Sequence, residues 1–149
     1  MADTLTLTLS SGGDVVIKLR PDLAPGHVER IAGLASEGFY DGVVFHRVIP
    51  GFMAQGGDPT GTGMGGSEKP NLKAEFSGAH HVRGACSMAR ASNPNSANSQ
   101  FFICLDDARL LDKQYTVWGV VESGMEHVDA LPKGDPPRNP GKIAKATVG

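Results

Sequence analysis

The stretch from Val43 to Asp58, VVFHRVIPGFMAQGGD, constrains this chain more than any other. Two apolar runs, rich in β-branched and aromatic residues, meet at Ile49-Pro50-Gly51. Proline at the second position of a turn and glycine at the third suit a tight reversal, so two strands are expected to meet there. Side chains alternate along a strand, which puts Phe45, Arg47 and Ile49 on one face and His46 and Val48 on the other. Past the turn, Met53 and Gln55 share a face. A register that sets Arg47 opposite them leaves a guanidinium and an amide among apolar groups. That is costly unless the arginine meets a partner or a ligand.

The rest of the chain reads as short strands separated by turn formers. Thr4 to Leu9 alternates threonine with leucine, Ser11-Gly12-Gly13-Asp14 is a turn cluster, and Val15 to Leu19 is a second strand. Pro25 suits a first helical position; Val28, Ile31, Ala32 and Ala35 follow as an apolar stripe, and Gly38 ends the helix. Ala85 to Ala89, Gln100 to Leu105, Tyr115 to Val121 and Ile143 to Val148 are further strands, the last placed to pair with the first. Gly124 to Leu131 is a short helical stretch, and Pro136 to Pro140 a rigid loop. No internal repeat or boundary divides the 149 residues, so one domain over 1–149 is expected. Many short strands and two helices suit a closed antiparallel barrel, which removes sheet edges; the residues alone leave a sandwich equally open.

Several function classes are disfavoured. Gly61, Gly63 and Gly66 fit a dinucleotide-binding spacing, but Ser67-Glu68-Lys69-Pro70 follows instead of a helix, so the segment reads as a surface loop. A net charge of -2 gives no reason to expect nucleic acid or an anionic membrane as a partner. No apolar run approaches the ~20 residues of a membrane span, and Met1 to Leu9 lacks the layout of a signal peptide. Cys86 and Cys104 sit in apolar runs, as small buried core residues do, which points to a cytoplasmic protein without disulfides. His80 and His81 are adjacent and expected to point apart, and no Cys or carboxylate stands at zinc spacing. No metal and no cofactor are expected.

The run Phe45-His46-Arg47-Val48-Ile49-Pro50-Gly51-Phe52-Met53-Ala54-Gln55-Gly56-Gly57-Asp58 resembles the signature of the cyclophilins, the peptidyl-prolyl cis-trans isomerases. A second block also matches, Gly84 to Arg90 continuing through Asn98-Ser99-Gln100-Phe101-Phe102-Ile103. The resemblance implies a mainly β fold, a closed eight-stranded antiparallel barrel capped by two α-helices. It implies rotation about X-Pro bonds without a covalent intermediate, on peptides and on unfolded or partly folded proteins. A proline-binding module or chaperone using the same groove is the alternative reading.

By this resemblance Arg47 is the catalytic cation and Gln55 steadies both the peptide carbonyl and the arginine. Phe52, Met53, Phe102 and Leu111 line the proline pocket, and main-chain groups of Ala89, Arg90 and Ala91 pair with the residue before proline. His46, Gln100, Leu110 and Tyr115 border the groove. Taken without the motif, Phe52, Met53, Phe102 and Leu111 would be read as core, Arg47 as a surface arginine and His46 as a structural hydrogen-bond partner. The best-known eukaryotic pattern has tryptophan at Leu110, histidine at Tyr115 and asparagine at Arg90, so the chain is closer to bacterial cytosolic members. Weak binding of cyclosporin and a monomeric state are expected.

Overall fold

The computed structural model describes residues 3–149; Met1 and Ala2, on which the signal-peptide reading partly rests, lie outside them. In the N-terminal hairpin, β1 (Thr4–Leu9) pairs antiparallel with β2 (Asp14–Leu19), Leu7 opposite Val15. Alternation has the expected effect: Leu5, Leu7, Leu9, Val15, Ile17 and Leu19 are buried, and the threonines between them are not.

α1 (Pro25–Ser36) begins at Pro25 and ends before Gly38, as anticipated. It buries Val28, Ile31 and Ala35, but also His27 and Leu34, while Ala32 is only half-buried. Its capping residue is Ala24, which has no side-chain acceptor. The unpaired N–H groups of the first turn are met from a distance: the Glu75 carboxylate accepts from Gly26 N–H (3.2 Å) and His27 N–H (2.9 Å).

The central hairpin joins β3 (Arg47–Ile49) to β4 (Met53–Gly56). The Ile49 carbonyl accepts from Phe52 N–H (3.1 Å) across Pro50-Gly51, and Gly51 takes φ +70°, the left-handed conformation this turn requires at its third position. Its register pairs Arg47 with Gln55, Val48 with Ala54 and Ile49 with Met53. One expectation fails here. Phe45 packs in the inner core beside Val48, not on the face of Arg47, because the regular strand starts only at Arg47 and alternation does not extend back to Phe45.

The remaining strands are β5 (Ala85–Met88), β6 (Phe101–Cys104), β7 (Val117–Ser123) and β8 (Ile143–Val148). β7 begins two residues later than the sequence suggested, so Tyr115 lies outside the ladder. α2 (Met125–Asp129) is shorter than the expected Gly124–Leu131, and a 3-10 turn over Arg109–Leu111 has no forerunner in the sequence reading. All eight strands form one antiparallel sheet in the order β3-β4-β6-β5-β7-β2-β1-β8, with β1 pairing β8 as foreseen. The sheet's two ends, β3 and β8, share no ladder. They approach through an isolated bridge between Val44 and Lys142, with Phe45 N–H donating to Gly141 O at 2.8 Å.

Two apolar clusters result. The larger one lies on the inner face and includes Leu5, Leu7, Ile17, Ile31, Phe45, Phe101, Ile103 and Trp118. The smaller one, Met53, Ala85, Phe102, Cys104, Ala108 and Leu111, occupies the outer face of β4–β6–β5, with Phe52, Ala89 and Tyr115 packed against it. Period-two alternation sorts neighbours between them: Ala54, Ile103 and Cys86 go inward, Met53, Phe102 and Ala85 outward.

Candidate active site

The outer face of β3, β4 and β6 carries a row across the strands, Arg47 opposite Gln55 and Gln55 opposite Phe102. The next row is Ile49, Met53 and Cys104. A cavity of about 150 Å³ opens beside these rows, lined by Phe52, Met53, Phe102, Leu111 and Tyr115 together with Arg47, Gln55, Ala89 and Arg90. Its wall joins apolar side chains to polar ones, with one cation and one amide from the hairpin and a second cation, Arg90, from beyond it. A second, larger hollow of about 410 Å³ shares Gln55, Ala89 and Arg90 with it and continues past Ala91 and Gln100 to the 63–67 loop. The structure thus brings together most of the residues singled out from the sequence.

Two lie elsewhere. His46 lines neither hollow; it is buried beneath the glycine loop, where a Cβ on Gly63 would stand 3.3 Å from its Nε2. Burial lowers its pKa, against the pull of Asp58 and Asp135. Leu110 sits on the 3-10 turn with its neighbour Leu111 directed into the cavity, and is itself 79% exposed. Two main-chain donors expected to meet a peptide already have partners: Ala89 N–H donates to Gln100 O (3.0 Å) and Ala91 N–H to Ser96 Oγ (2.9 Å).

Gln55 does not hold the arginine. Its Nε2 donates to Gln100 Oε1 (3.0 Å), and Gln100 Nε2 donates in turn to the carbonyls of Gly63 and Gly65 (3.0 and 2.9 Å). This chain ties the hairpin to the glycine loop. The loop's own shape comes from Asp58, a buried carboxylate that accepts from the N–H groups of Thr60, Thr62, Gly63 and Gly65 and from the Thr60 hydroxyl. Burial alone would raise its pKa, but these bonds outweigh it and hold the carboxyl well below its ordinary value. The glycine spacing that imitates a nucleotide motif therefore frames an internal carboxylate. Its sequence signal is an aspartate followed by a Thr/Gly-rich loop.

Arg90 contributes more than its main chain. Its guanidinium lies 4.6 Å from the Tyr115 ring centre and donates to Gln114 O (3.0 and 2.7 Å), fixing that aromatic at the cavity edge.

Behind the cavity floor is an array that sequence reasoning did not foresee. His80 and His81 do not point apart: both Nδ1 atoms reach the Asp112 carboxylate, at 2.6 and 3.0 Å, one to each oxygen. Asp112 also accepts from His81 N–H (2.7 Å). These bonds, that from His80 foremost, hold the Asp112 carboxyl well below its usual range. His81 is wholly buried, and burial lowers its pKa although Asp112 opposes this. Its Nε2 lies 2.9 Å from Ser87 Oγ, and its ring stacks on Phe102 at 6.1 Å. The connectivity is serine–histidine–aspartate, but Ser87 is fully buried within β5, where no substrate carbonyl can approach it. The array supports Phe102 from behind. Among the described residues no group of three or more His, Cys, Asp or Glu could hold a metal.

The fold is thus an open eight-stranded antiparallel sheet with two helices and, on its outer face, a cavity where Arg47 and Arg90 stand beside apolar side chains. The profile of the family described as cyclophilin type peptidyl-prolyl cis-trans isomerase/CLD matches residues 4–148, and the chain belongs to that family. It is 52% identical over 162 residues to a probable peptidyl-prolyl cis-trans isomerase of Brucella suis, covering 98% of this chain and 82% of that protein. It is 45% identical over 129 residues to peptidyl-prolyl cis-trans isomerase B of Bacillus subtilis, covering 85% and 89%. Among solved structures it resembles a cyclophilin type isomerase of Cryptosporidium parvum, crystallised in the presence of the dipeptide Ala-Pro, with a TM-score of 0.90 at 29% identity over 98% of both chains.

Proposed function

We propose that this chain is a peptidyl-prolyl cis-trans isomerase that turns X-Pro bonds in the cavity beside Arg47. The observation that carries the reading is the Arg47 cation set beside the apolar side chains of Phe52, Met53, Phe102 and Leu111 in one hollow of about 150 Å³. The barrier to X-Pro rotation is amide resonance, about 18–20 kcal/mol. An acceleration on the order of 10⁵ asks for about 7 kcal/mol of preference for the twisted bond over the planar one. Phe52, Met53, Phe102 and Leu111 take the proline ring. Arg47 donates toward the proline nitrogen and carbonyl as resonance is lost, and a pure binding module would have little use for a cation there. Gln55 meets the peptide carbonyl. Main-chain groups near Arg90 hold the preceding residue, and Gln100 and Tyr115 border its path. No proton transfer and no bond cleavage is involved.

The substrates on this reading are proline-containing segments of peptides and of unfolded or partly folded proteins; the Ala-Pro dipeptide given to the Cryptosporidium relative has that chemistry. The protein works as one domain over 1–149, as a monomer in the cytoplasm, without nucleic acid, membrane or cofactor. The free, buried thiols support that compartment: burial raises Cys86 and pushes Cys104 up to about 12. The sheet acts as a closed barrel, a reading supported by the Val44–Lys142 bridge between its ends. Magnetisation-exchange spectroscopy on an Ala-Pro peptide tests the activity. Exchange between cis and trans signals is expected on adding the protein; broadening by binding without exchange would favour a holding module.

A further inference from the structure

The cation proposed for catalysis is held on one side only. The Arg47 side chain is 42% exposed, yet its Nε is buried and has no hydrogen-bond partner among the described residues. Gln55, its cross-strand neighbour, is engaged with Gln100. The nearest acidic group is Asp135, whose Oδ2 stands 3.2 Å from that Nε, out of line for a hydrogen bond but within ion-pair reach. Its placement is not a matter of loop chance. Val48 N–H donates to Gly134 O (2.8 Å) and Gly134 N–H to Val48 O (2.9 Å), a reciprocal antiparallel bridge. In such a bridge the residue after Gly134 lies beside the residue before Val48, so the backbone delivers Asp135 to Arg47.

We infer that Asp135 is a positioning residue for the isomerisation, holding the Arg47 guanidinium at its Nε edge and leaving the two Nη groups for the peptide. The inference rests on the proposed function of the site. An arginine side chain has several rotatable bonds, and only some of its rotamers aim the guanidinium into the cavity. A carboxylate on the far edge favours those rotamers before the substrate arrives, so orientation is not bought at the transition state. The opposite effect is equally definite. A negative charge beside the cation weakens its pull on the twisted amide, and if that dominated, removing Asp135 would speed the reaction. The two effects have opposite signs in turnover.

The experiment compares native protein, Asp135→Asn, Asp135→Glu, Arg47→Ala and the double variant Arg47→Ala/Asp135→Asn on one X-Pro peptide, with thermal midpoints recorded alongside. Asp135→Asn is expected to lower kcat about three- to fivefold, the range an exposed ion pair can supply. KM should stay within about twofold, since ground-state binding is not what changes. Asp135→Glu should recover most of the rate, and in the Arg47→Ala background the asparagine should add no further loss. Raising salt to about 1 M screens the pair, so native kcat should fall toward that of Asp135→Asn while the variant barely responds. This arm needs no substitution to fold. Native or faster turnover in Asp135→Asn, or the same loss with and without Arg47, would overturn the inference and leave the isomerase reading standing. An inactive native protein would overturn both.

Discussion

The two faces of β4 and β6 are built from neighbouring residues and do different work. Phe101 points inward and meets Tyr40, Phe45 and Trp118 edge to face, with centroids 5.5, 6.3 and 5.8 Å apart. Phe102, one residue on, points outward, stacks on His81 and meets Tyr115 at 5.6 Å. The inner cluster contains only two titratable side chains, Tyr40 and Cys86, and burial pushes both up and keeps them neutral. Polar and charged groups gather around the outer cluster: Arg47, Gln55, His81, Asp112. A strand's period of two lets one short ladder serve both purposes, with packing on one side and chemistry on the other. The inner face holds one buried polar atom without a partner, Trp118 Nε1; the outer face presents the Arg47 cation beside the cavity.

Paired truncations break or sharpen this contrast most strongly. Removing a buried aromatic ring costs about 3–5 kcal/mol. Phe101→Ala should fall at the upper end of that range, and turnover should vanish only in proportion to unfolded protein. Phe102→Ala, with the ring 4% exposed, should fall nearer the lower end and lose turnover beyond what unfolding explains. Urea unfolding and peptide turnover on the same samples separate the two; identical ratios of activity to folded fraction would erase the distinction between the faces.

A smaller effect concerns the rim of the outer face. Leu110 is exposed, and on the family resemblance it would offer cyclosporin an aliphatic contact but no N–H donor, where the best-known eukaryotic pattern has a tryptophan that the resemblance implies donates to the drug. One lost hydrogen bond is about 0.5–1.5 kcal/mol, and lost apolar contact adds a similar amount. Leu110→Trp should therefore tighten cyclosporin inhibition by roughly a hundredfold while sparing peptide turnover. No gain in the titration would show that this rim position does not control the drug.

Acid should weaken the fold through two buried histidines, one on each side of the sheet. His81 beneath Phe102 and His27 at the start of α1 are wholly buried, and burial depresses both pKa values. A histidine depressed in the folded state takes up more protons when unfolded, so stability is full above the unfolded value of about 6.5 and falls as pH drops below it. Their partners Asp112 and Glu75 are also held low, so a further loss follows below about pH 4, where unfolded carboxylates protonate. Thermal midpoints measured from pH 8 to pH 5 should be level at first and then decline below about 6.5. A level curve throughout would mean that these histidines ionise without cost.

Much of this was legible along the chain. The Ile49-Pro50-Gly51 turn and the alternation of β1 and β2 are local, and local chemistry specified them; the pairing of Arg47 with Gln55 was one register the hairpin allowed. The match between Phe102 and the hairpin came through family resemblance, since Phe102 lies 46 positions beyond the end of β4 at Gly56, and the chain between them, β5 apart, runs through loops whose path no periodicity reveals. What stayed hidden depends on pairs brought together by tertiary contact. Asp112 gathers two adjacent histidines because a carboxylate has two oxygens. Asp135 reaches Arg47 because Gly134 bridges to Val48. Phe45 turned inward because its segment is not yet strand.

The most direct test of the division between the faces is Arg47→Ala, assayed for X-Pro turnover and for thermal stability in one preparation. Arg47 lies on the outer face, is partly exposed and belongs to neither apolar cluster. Removing a donor aimed at the developing charge typically costs on the order of 10²–10³ in rate. The expected result is a loss of that size with a thermal midpoint within about 2 °C of native. Near-native turnover in a folded Arg47→Ala protein would contradict the account.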